Sequence, residues 1–265
     1  MPTIAGVLCL LIWLYLLLLH GRFWRIGTLP APTLQAATAQ AQVAVIIPAR
    51  NEADVVERCV TSLLNQTGGH SIHIFLVDDA SSDGTAEVAG QAAQAASQSD
   101  RLEVSQAPPL PPGWSGKLWA VQQGIQKTKA NEVHPDFFLL TDGDIVHAPD
   151  SVSRLEAIAR TGPYDLVSCM VKLHCETFAE RALIPAFVFF FLKLYPPAWI
   201  SDSRRKMAGA AGGSILVRPE ALERAGGIEA IRAEVIDDCA LARRVKESGG
   251  RVWLGLSADT YSIRP

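Results

Sequence analysis

Hydrophobic and polar positions divide this chain into three regimes. Thr3 to Leu19 is an unbroken, uncharged apolar run. From Val43 to Val171, short β-branched or aromatic runs alternate with longer stretches of helical period. Beyond Ala182 that alternation gives way to aromatic, proline-rich and glycine-rich segments. In the middle regime Val43 to Pro48 (V-A-V-I-I-P), Ile72 to Val77, Phe137 to Thr141 and Asp165 to Val171 read as strands, the first suited to burial on both faces. Between them the pattern predicts helices from about Asn51 to Gln66, from the D-D-A-S-S-D-G-T stretch to about Ser97, over Lys117 to Lys127, and over Asp150 to Arg160 with an Asp or Ser cap. Such alternation builds an α/β fold, a mostly parallel central sheet flanked by helices with right-handed crossovers.

The flanking regimes read differently. As a helix, Thr3 to Leu19 covers about 26 of the ~30 Å of a bilayer core. Arg22 and Arg25 follow the run and no basic side chain precedes it, so the positive-inside rule leaves the rest of the chain on the cytoplasmic side of the cell's inner membrane. A cleaved signal peptide is the rival reading, with Ala39-Gln40-Ala41 as its small-residue site; the missing positive n-region and the distance of that site from the run argue against it. The organisation expected is therefore an anchor over 1–26, a Pro-, Ala-, Thr- and Gln-rich linker over 27–42, and one folded domain over 43–265. Ala182 to Trp199 is dense in aromatics and broken by Pro185 and Pro196-Pro197; read as too short to span, it is either interfacial or a core helix. Ala208 to Arg218 leads through glycines into a strand, Pro219 to Ala225 is a short helix, and Ile236-Asp237-Asp238 opens a helix to about Ser248. Arg251 to Leu256 and Thr260 to Arg264 read as two closing strands, and the halt at Pro265 without a terminal signal suggests a partial sequence.

Composition narrows the function. A net charge of −3 over 265 residues leaves no basic field for nucleic acid. Five cysteines without a C-x-x-C pair read as reduced thiols, and the six histidines include no H-E-x-x-H.

What remains is acidic. Phe137 to His147 reads F-F-L-L-T-D-G-D-I-V-H, a buried strand that delivers Asp142 and Asp144 at its C-terminal end, where ligand sites of open α/β sheets form. Two carboxylates one residue apart suit a hard divalent cation carrying a phosphate, whereas the bland reading is an Asp-Gly turn. Asp78, Asp79 and Asp83 follow the second strand, and Asp237-Asp238 opens a late helix. Converging negative charge needs a cation or several donors to answer it, and a metal-bound nucleotide supplies both. Each piece has a plainer alternative: Asp83 as a helix cap, Asp237-Asp238 as a favourable dipole partner, Lys117 as a solvated helix lysine, Gly212-Gly213 as a bulge, and His147 as a loop histidine beside a metal set it need not join.

V-A-V-I-I-P-A-R-N-E, V-D-D-A-S-S-D-G-T, the D-x-D of Asp142 to Asp144, G-A-A-G-G and an acidic pair opening a helix together resemble the family 2 glycosyltransferases of the GT-A fold, over about Val43 to Arg264. The apolar N-terminus, P-P-G-W-S-G-K-L-W-A and T-D-G-D-I-V-H-A-P are similar to the hopene-associated glycosyltransferase group. The resemblance implies a nucleotide-sugar donor, UDP-linked, framed by Pro48, Ala49, Arg50, Glu52, Asp78 and Asp79, with Lys117 opposing phosphate charge. It implies Asp142 at the ribose or metal, Asp144 on Mg2+ or Mn2+, and Asp238 as the base of an inverting transfer to a lipid hydroxyl such as a hopanoid's. Gly212, Gly213 and Asp237 fall on the acceptor side, with Asp237 standing where the family usually has Glu; the family's later R-x-x-R-W-type element is absent. Two other functions stay open: an aspartate-nucleophile phosphatase of the haloacid dehalogenase type, and a non-catalytic nucleotide-binding domain held at a membrane.

Overall fold

The computed structural model describes residues 2–29 and 41–264. Most of the expected linker, including Ala39 and Gln40 of the small-residue site, lies outside them, as does Pro265. The middle regime forms β1 (Gln42–Ala49), α2 (Val56–Leu64), β2 (Ser71–Asp78), α3 (Thr85–Ala95), β3 (Leu102–Gln106), α4 (Gly116–Ala130), β4 (Phe137–Leu140), β5 (Ile145–Val146), α5 (Ser151–Thr161) and β6 (Leu166–Lys172), all but β3 and β5 where β-branched and helical periods placed them. The N-terminal run forms α1 (Pro2–Leu18). After β6 come α6 (Phe178–Leu194), α7 (Pro197–Ile200), β7 (Ile215–Val217), α8 (Pro219–Arg224), α9 (Asp237–Glu247) and β8 (Val252–Ser262).

The eight strands form one sheet in the order β3-β2-β1-β4-β7-β6-β8-β5. β1 pairs in parallel with β2 and β4, and β2 with β3. The expectation of a mostly parallel sheet holds for that half. In the other half β7 runs antiparallel to β4 and β6, β5 antiparallel to β8, and β6 parallel to β8, so the whole is mixed. Alternation along β1 explains the two cores: Val43, Val45 and Ile47 meet α2, α3 and α5 on one face, while Ala44 and Ile46 meet α4 and α9 on the other. Because Ala49 stands opposite Asp78 in parallel register, the C-terminal ends of β1 and β2 open on the same edge.

Several boundaries differ from expectation. Asn51 takes a left-handed turn, φ 52°, and α2 starts only at Val56. The two closing strands are one, β8, kinked by a register shift opposite Met170 to Lys172. Gly27 to Leu29 are not free linker: Thr28 bridges Leu256 and Leu29 donates to its carbonyl at 3.0 Å. The aromatic segment is not broken at Pro185. A capping box at Thr177 and Glu180 starts α6 early, and the helix continues through the proline. With α7, residues 178–200 form the one segment among the described residues long and apolar enough to cross a membrane; α1 falls just below that length.

Candidate functional site

The edge formed by β1, β2 and β4 carries a cleft of about 490 Å³. Pro48, Ala49, Arg50 and Glu52 enter it from β1 and its loop, Asp79 from β2, Asp142 and Asp144 from the turn after β4, and Lys117 from the first turn of α4. Ser115 caps α4, its Oγ accepting from the Leu118 N–H at 3.3 Å, and that cap aims Gly116 and Lys117 at the cleft.

Lys117 is the hinge of the charge arrangement. Its Nζ lies 2.8 Å from Asp142 Oδ1 and 3.7 Å from Asp237 Oδ2. Burial alone would pull this ammonium down, but Asp142, Asp237 and Asp238 outweigh it and raise its pKa. Lys117 and Asp142 also line an adjoining crevice of about 30 Å³ with Gly212, Asp237 and Asp238. The two spaces therefore share a wall, and Asp79, Asp144 and Asp238 stand around connected ground. A side chain at 212 would reach 3.6 Å from both Asp238 Oδ2 and Lys117 Nζ, filling the gap between them. Burial, with the Asp237 charge, raises the Asp238 carboxyl against the opposing Cys239 N–H, Lys117 and Gly212 N–H.

The D-x-D turn is fixed from behind. Ser262 of β8 donates to Asp144 Oδ2 at 2.5 Å, and the Ile263 N–H donates to the Asp144 carbonyl at 3.0 Å. Glu52 presses on the middle residue: a Cβ on Gly143 would stand 1.9 Å from Glu52 Oε2, so glycine leaves that carboxylate its place. Arg264 caps the other Glu52 oxygen, while Oε2 is buried without a hydrogen-bond partner. Burial, opposed by Arg264 and reinforced by Asp144 and Asp142, pushes the Glu52 carboxyl up to about 7.

This donor set suits a hard divalent ion. Asp142 and Asp144 supply oxygen ligands beside a third carboxylate with an unanswered oxygen, as Mg2+ or Mn2+ requires when phosphate completes the shell. Among the described residues no three His, Cys, Asp or Glu are gathered into a protein-only cage, so the fit is to a cation shared with a ligand.

Four residues singled out in the sequence lie elsewhere. Asp78 is buried and turned inward, accepting from the Ser81 N–H at 3.0 Å and the Gln106 amide at 2.5 Å; neighbouring strand positions face opposite ways, so only Asp79 reaches the cleft. Gly213 packs against Val171 and Ile145, and its carbonyl accepts from Thr141 Oγ1 at 2.8 Å, away from Asp238. Asp83 staples two loops through Ala53 N–H, Thr85 N–H and Thr85 Oγ1, which lowers its pKa; it is no helix cap, since Gly84 holds that place. His147 is not beside a metal set but in the core, 3.0 Å from Thr141 Oγ1, and burial lowers it to about 4. Gly116 and Arg264 line the cleft without having been singled out in the sequence. G-K-L-W-A carried the first signal, because a Cβ at 116 would meet Asp79 Oδ2 at 2.4 Å; nothing local marks Arg264.

With this geometry in view, the chain belongs to glycosyl transferase family 2, whose family model matches residues 44–226. None of the curated proteins compared with it matches. Among solved structures it is similar to the mannosyltransferase PcManGT from Pyrobaculum calidifontis in complex with GDP-Man and Mn2+, at 20% identity and a TM-score of 0.62 over 90% of this chain and 62% of that one. It is similar also to S. aureus TarS 1-349 in complex with UDP-GlcNAc, at 16% identity and a TM-score of 0.55, covering 84% and 59%. Mannosyl-3-phosphoglycerate synthase from Rubrobacter xylanophilus aligns at 18% identity and a TM-score of 0.50, covering 85% and 68%. The chain thus spans under two thirds of the length of the first two. At these identities the likeness establishes the GT-A fold, and the family match leaves the phosphatase alternative without support.

Proposed function

We propose that the protein transfers a sugar, with inversion, from a nucleoside-diphosphate donor to a hydroxyl of a lipid. The observation that carries this reading is the placement of Asp79, Asp142 and Asp144 around one cleft that Lys117 joins to Asp238. Donor N–H and O–H groups find an acceptor in Asp79, which lines the cleft. Asp142 and Asp144 would hold a divalent cation, which supplies charge neutralisation for a departing diphosphate. Lys117 and Arg264 bring positive charge to the same space. Asp238, its carboxyl raised, takes the proton of the acceptor hydroxyl as that oxygen bonds the anomeric carbon. The bond from that carbon to the diphosphate breaks, and its electron pair leaves with the nucleoside diphosphate.

Support for the donor class comes from the nucleotide sugars named for the similar structures, UDP-GlcNAc and GDP-Man, the latter together with Mn2+. Support for a lipid acceptor comes from the exposed apolar helices α1 and α6, and the hopene-associated resemblance makes a hopanoid hydroxyl the first to try. The test is a turnover screen of donors against lipid acceptors with Mn2+ and Mg2+. Asp238→Asn should lower turnover a hundredfold or more, by the roughly 10²–10⁴ that a positioned base contributes. Asp144→Asn should abolish the metal dependence. Near-normal turnover in the first, or an unchanged rate and metal response in the second, defeats the assignment concerned.

A further inference from the structure

α6 is apolar on every side yet has a single buried residue, Leu192. Phe178, Phe187, Phe190 and Leu194 are between 55% and 90% exposed. A helix of that kind needs apolar surroundings from outside the fold. Length and composition would let residues 178–200 cross a bilayer, but the connections of the helix forbid it.

Both ends are tied to the same globular unit. At the start, β6 stays in the sheet to Lys172, paired with Tyr261, and only residues 173–177 separate it from α6, drawn in by Glu180 accepting from the Glu176 and Thr177 N–H groups. At the end, Lys246 of α9 donates to the carbonyls of Trp199, Ile200 and Met207 at 3.2, 2.6 and 2.7 Å, and Ile200 is fully buried in the core. A rod whose two ends return to one domain lies along a membrane, not through it. Its uncharged interval, between Arg181 and Lys193, is about 17 Å of helix, little more than half of the ~30 Å hydrocarbon core.

The depth is marked independently. Arg25 lies 4.7 Å over the Trp24 ring, Lys193 5.7 Å over Phe190 and Arg205 4.6 Å over Trp199, the cation-with-aromatic pairs that suit a headgroup layer. Arg25 and Lys193 form no salt bridge among the described residues. The exit of α1 sits on the same place: His20 Nε2 is 2.8 Å from the Lys193 carbonyl, and the Phe23 and Phe189 rings are 5.3 Å apart. Gly21, φ 61°, passes so close to Pro196 that a Cβ would meet it at 2.7 Å.

We infer that α6 is a second membrane element, lying in the plane of the interface of an anionic bilayer with its aromatic side among the upper acyl chains. This deepens the lipid-acceptor reading and rests on it for its purpose. β6, which leads into α6, ends beside the D-x-D turn, since Lys172 pairs with Tyr261 and Ser262 holds Asp144, so an acceptor hydroxyl would reach the cleft from the headgroup level.

The experiment is photo-crosslinking of the full chain on vesicles of phosphatidylcholine, with or without phosphatidylglycerol, using diazirine lipids labelled near the headgroup or at the acyl terminus, and adducts mapped by mass spectrometry. Headgroup-proximal adducts are expected on Phe187, Phe190 and Leu194, rising roughly fivefold or more with the anionic lipid, as one basic side chain near the surface provides. Acyl-terminal adducts along all of α6 would show a span and overturn the inference. Lipid adducts on α1 alone, or crosslinks between α6 helices of two copies, overturn it while leaving a membrane-bound transferase intact. Lipid adducts on neither helix remove the lipid-acceptor reading as well.

Discussion

The Lys117 ammonium is bound at 2.8 Å to a carboxylate oxygen of Asp142, across the wall shared by the cleft and the Asp238 crevice. It answers three carboxylates at once, and their pull outweighs the desolvation that opposes its charge. Lys117→Met should therefore weaken nucleoside-diphosphate binding by roughly ten- to a hundredfold, the worth of a charged hydrogen bond of ~1.5–3 kcal/mol. Titration calorimetry with UDP and GDP reads this directly. An unchanged Kd for both would confine Lys117 to a structural part.

Glu52 should make the fold less stable as pH rises. Its carboxyl titrates near 7 in the folded chain against 4.5 for the ordinary side chain. Between those values the unfolded state has already lost the proton that the folded state keeps, so stability falls through the window from 4.5 to 7, by up to about 3 kcal/mol. Glu52→Gln should flatten that slope in thermal melts taken from pH 5 to 8. Arg264→Ala, which removes the compensating guanidinium, should steepen it and carry it to higher pH.

His147 should act in the opposite sense. Thr141 Oγ1 donates to the Gly213 carbonyl, so the histidine, 3.0 Å away, donates to Thr141 as the neutral ring. Held near 4 against an ordinary 6.5, it contributes stability above 6.5 that is lost as pH falls through 4, about 3 kcal/mol in all. His147→Gln should remove this acid-side slope, measured by urea unfolding between pH 4 and 7.

The strands and the acidic edge were legible in the sequence because their signals are local. Val43 to Pro48 needs no partner to be recognised as a buried strand, and Asp142-Gly143-Asp144 shows its spacing on its face. β3 was not, since Leu102 to Gln106 is a half-buried edge strand whose Glu103 and Ser105 dilute any apolar run. β8 read as two strands because Ser257, Ala258 and Asp259 resemble a turn; they do bulge out of the ladder to β6, which resumes at Tyr261 within one continuous strand. α6 read as broken because a proline inside a helix costs a hydrogen bond, a penalty the capping box and the remaining turns absorb here. Arg264 was invisible for a different reason: its partner Glu52 is 212 positions away.

Lys246 offers a stability test of the late segment. It donates to three carbonyls of α7 and the loop behind it. Lys246→Met keeps the stem and orphans those acceptors, so it should cost about 1–3 kcal/mol and increase hydrogen exchange over residues 197–207. Unaltered exchange there would mean that packing around Ile200 alone holds α7.

The pairing of Gly27 to Leu29 with β8 stitches the segment behind α1 onto the strand that also holds the D-x-D turn. Leu256 pairs with Met170 and Tyr261 with Lys172, so residues 257–260 bulge out of the ladder and the stitch at Leu256 lies only about 7 Å along the sheet from Tyr261, the neighbour of the Ser262 that grips Asp144. The acidic edge and the exit of α1 thus share one strand, so neither moves as a free arm relative to the other.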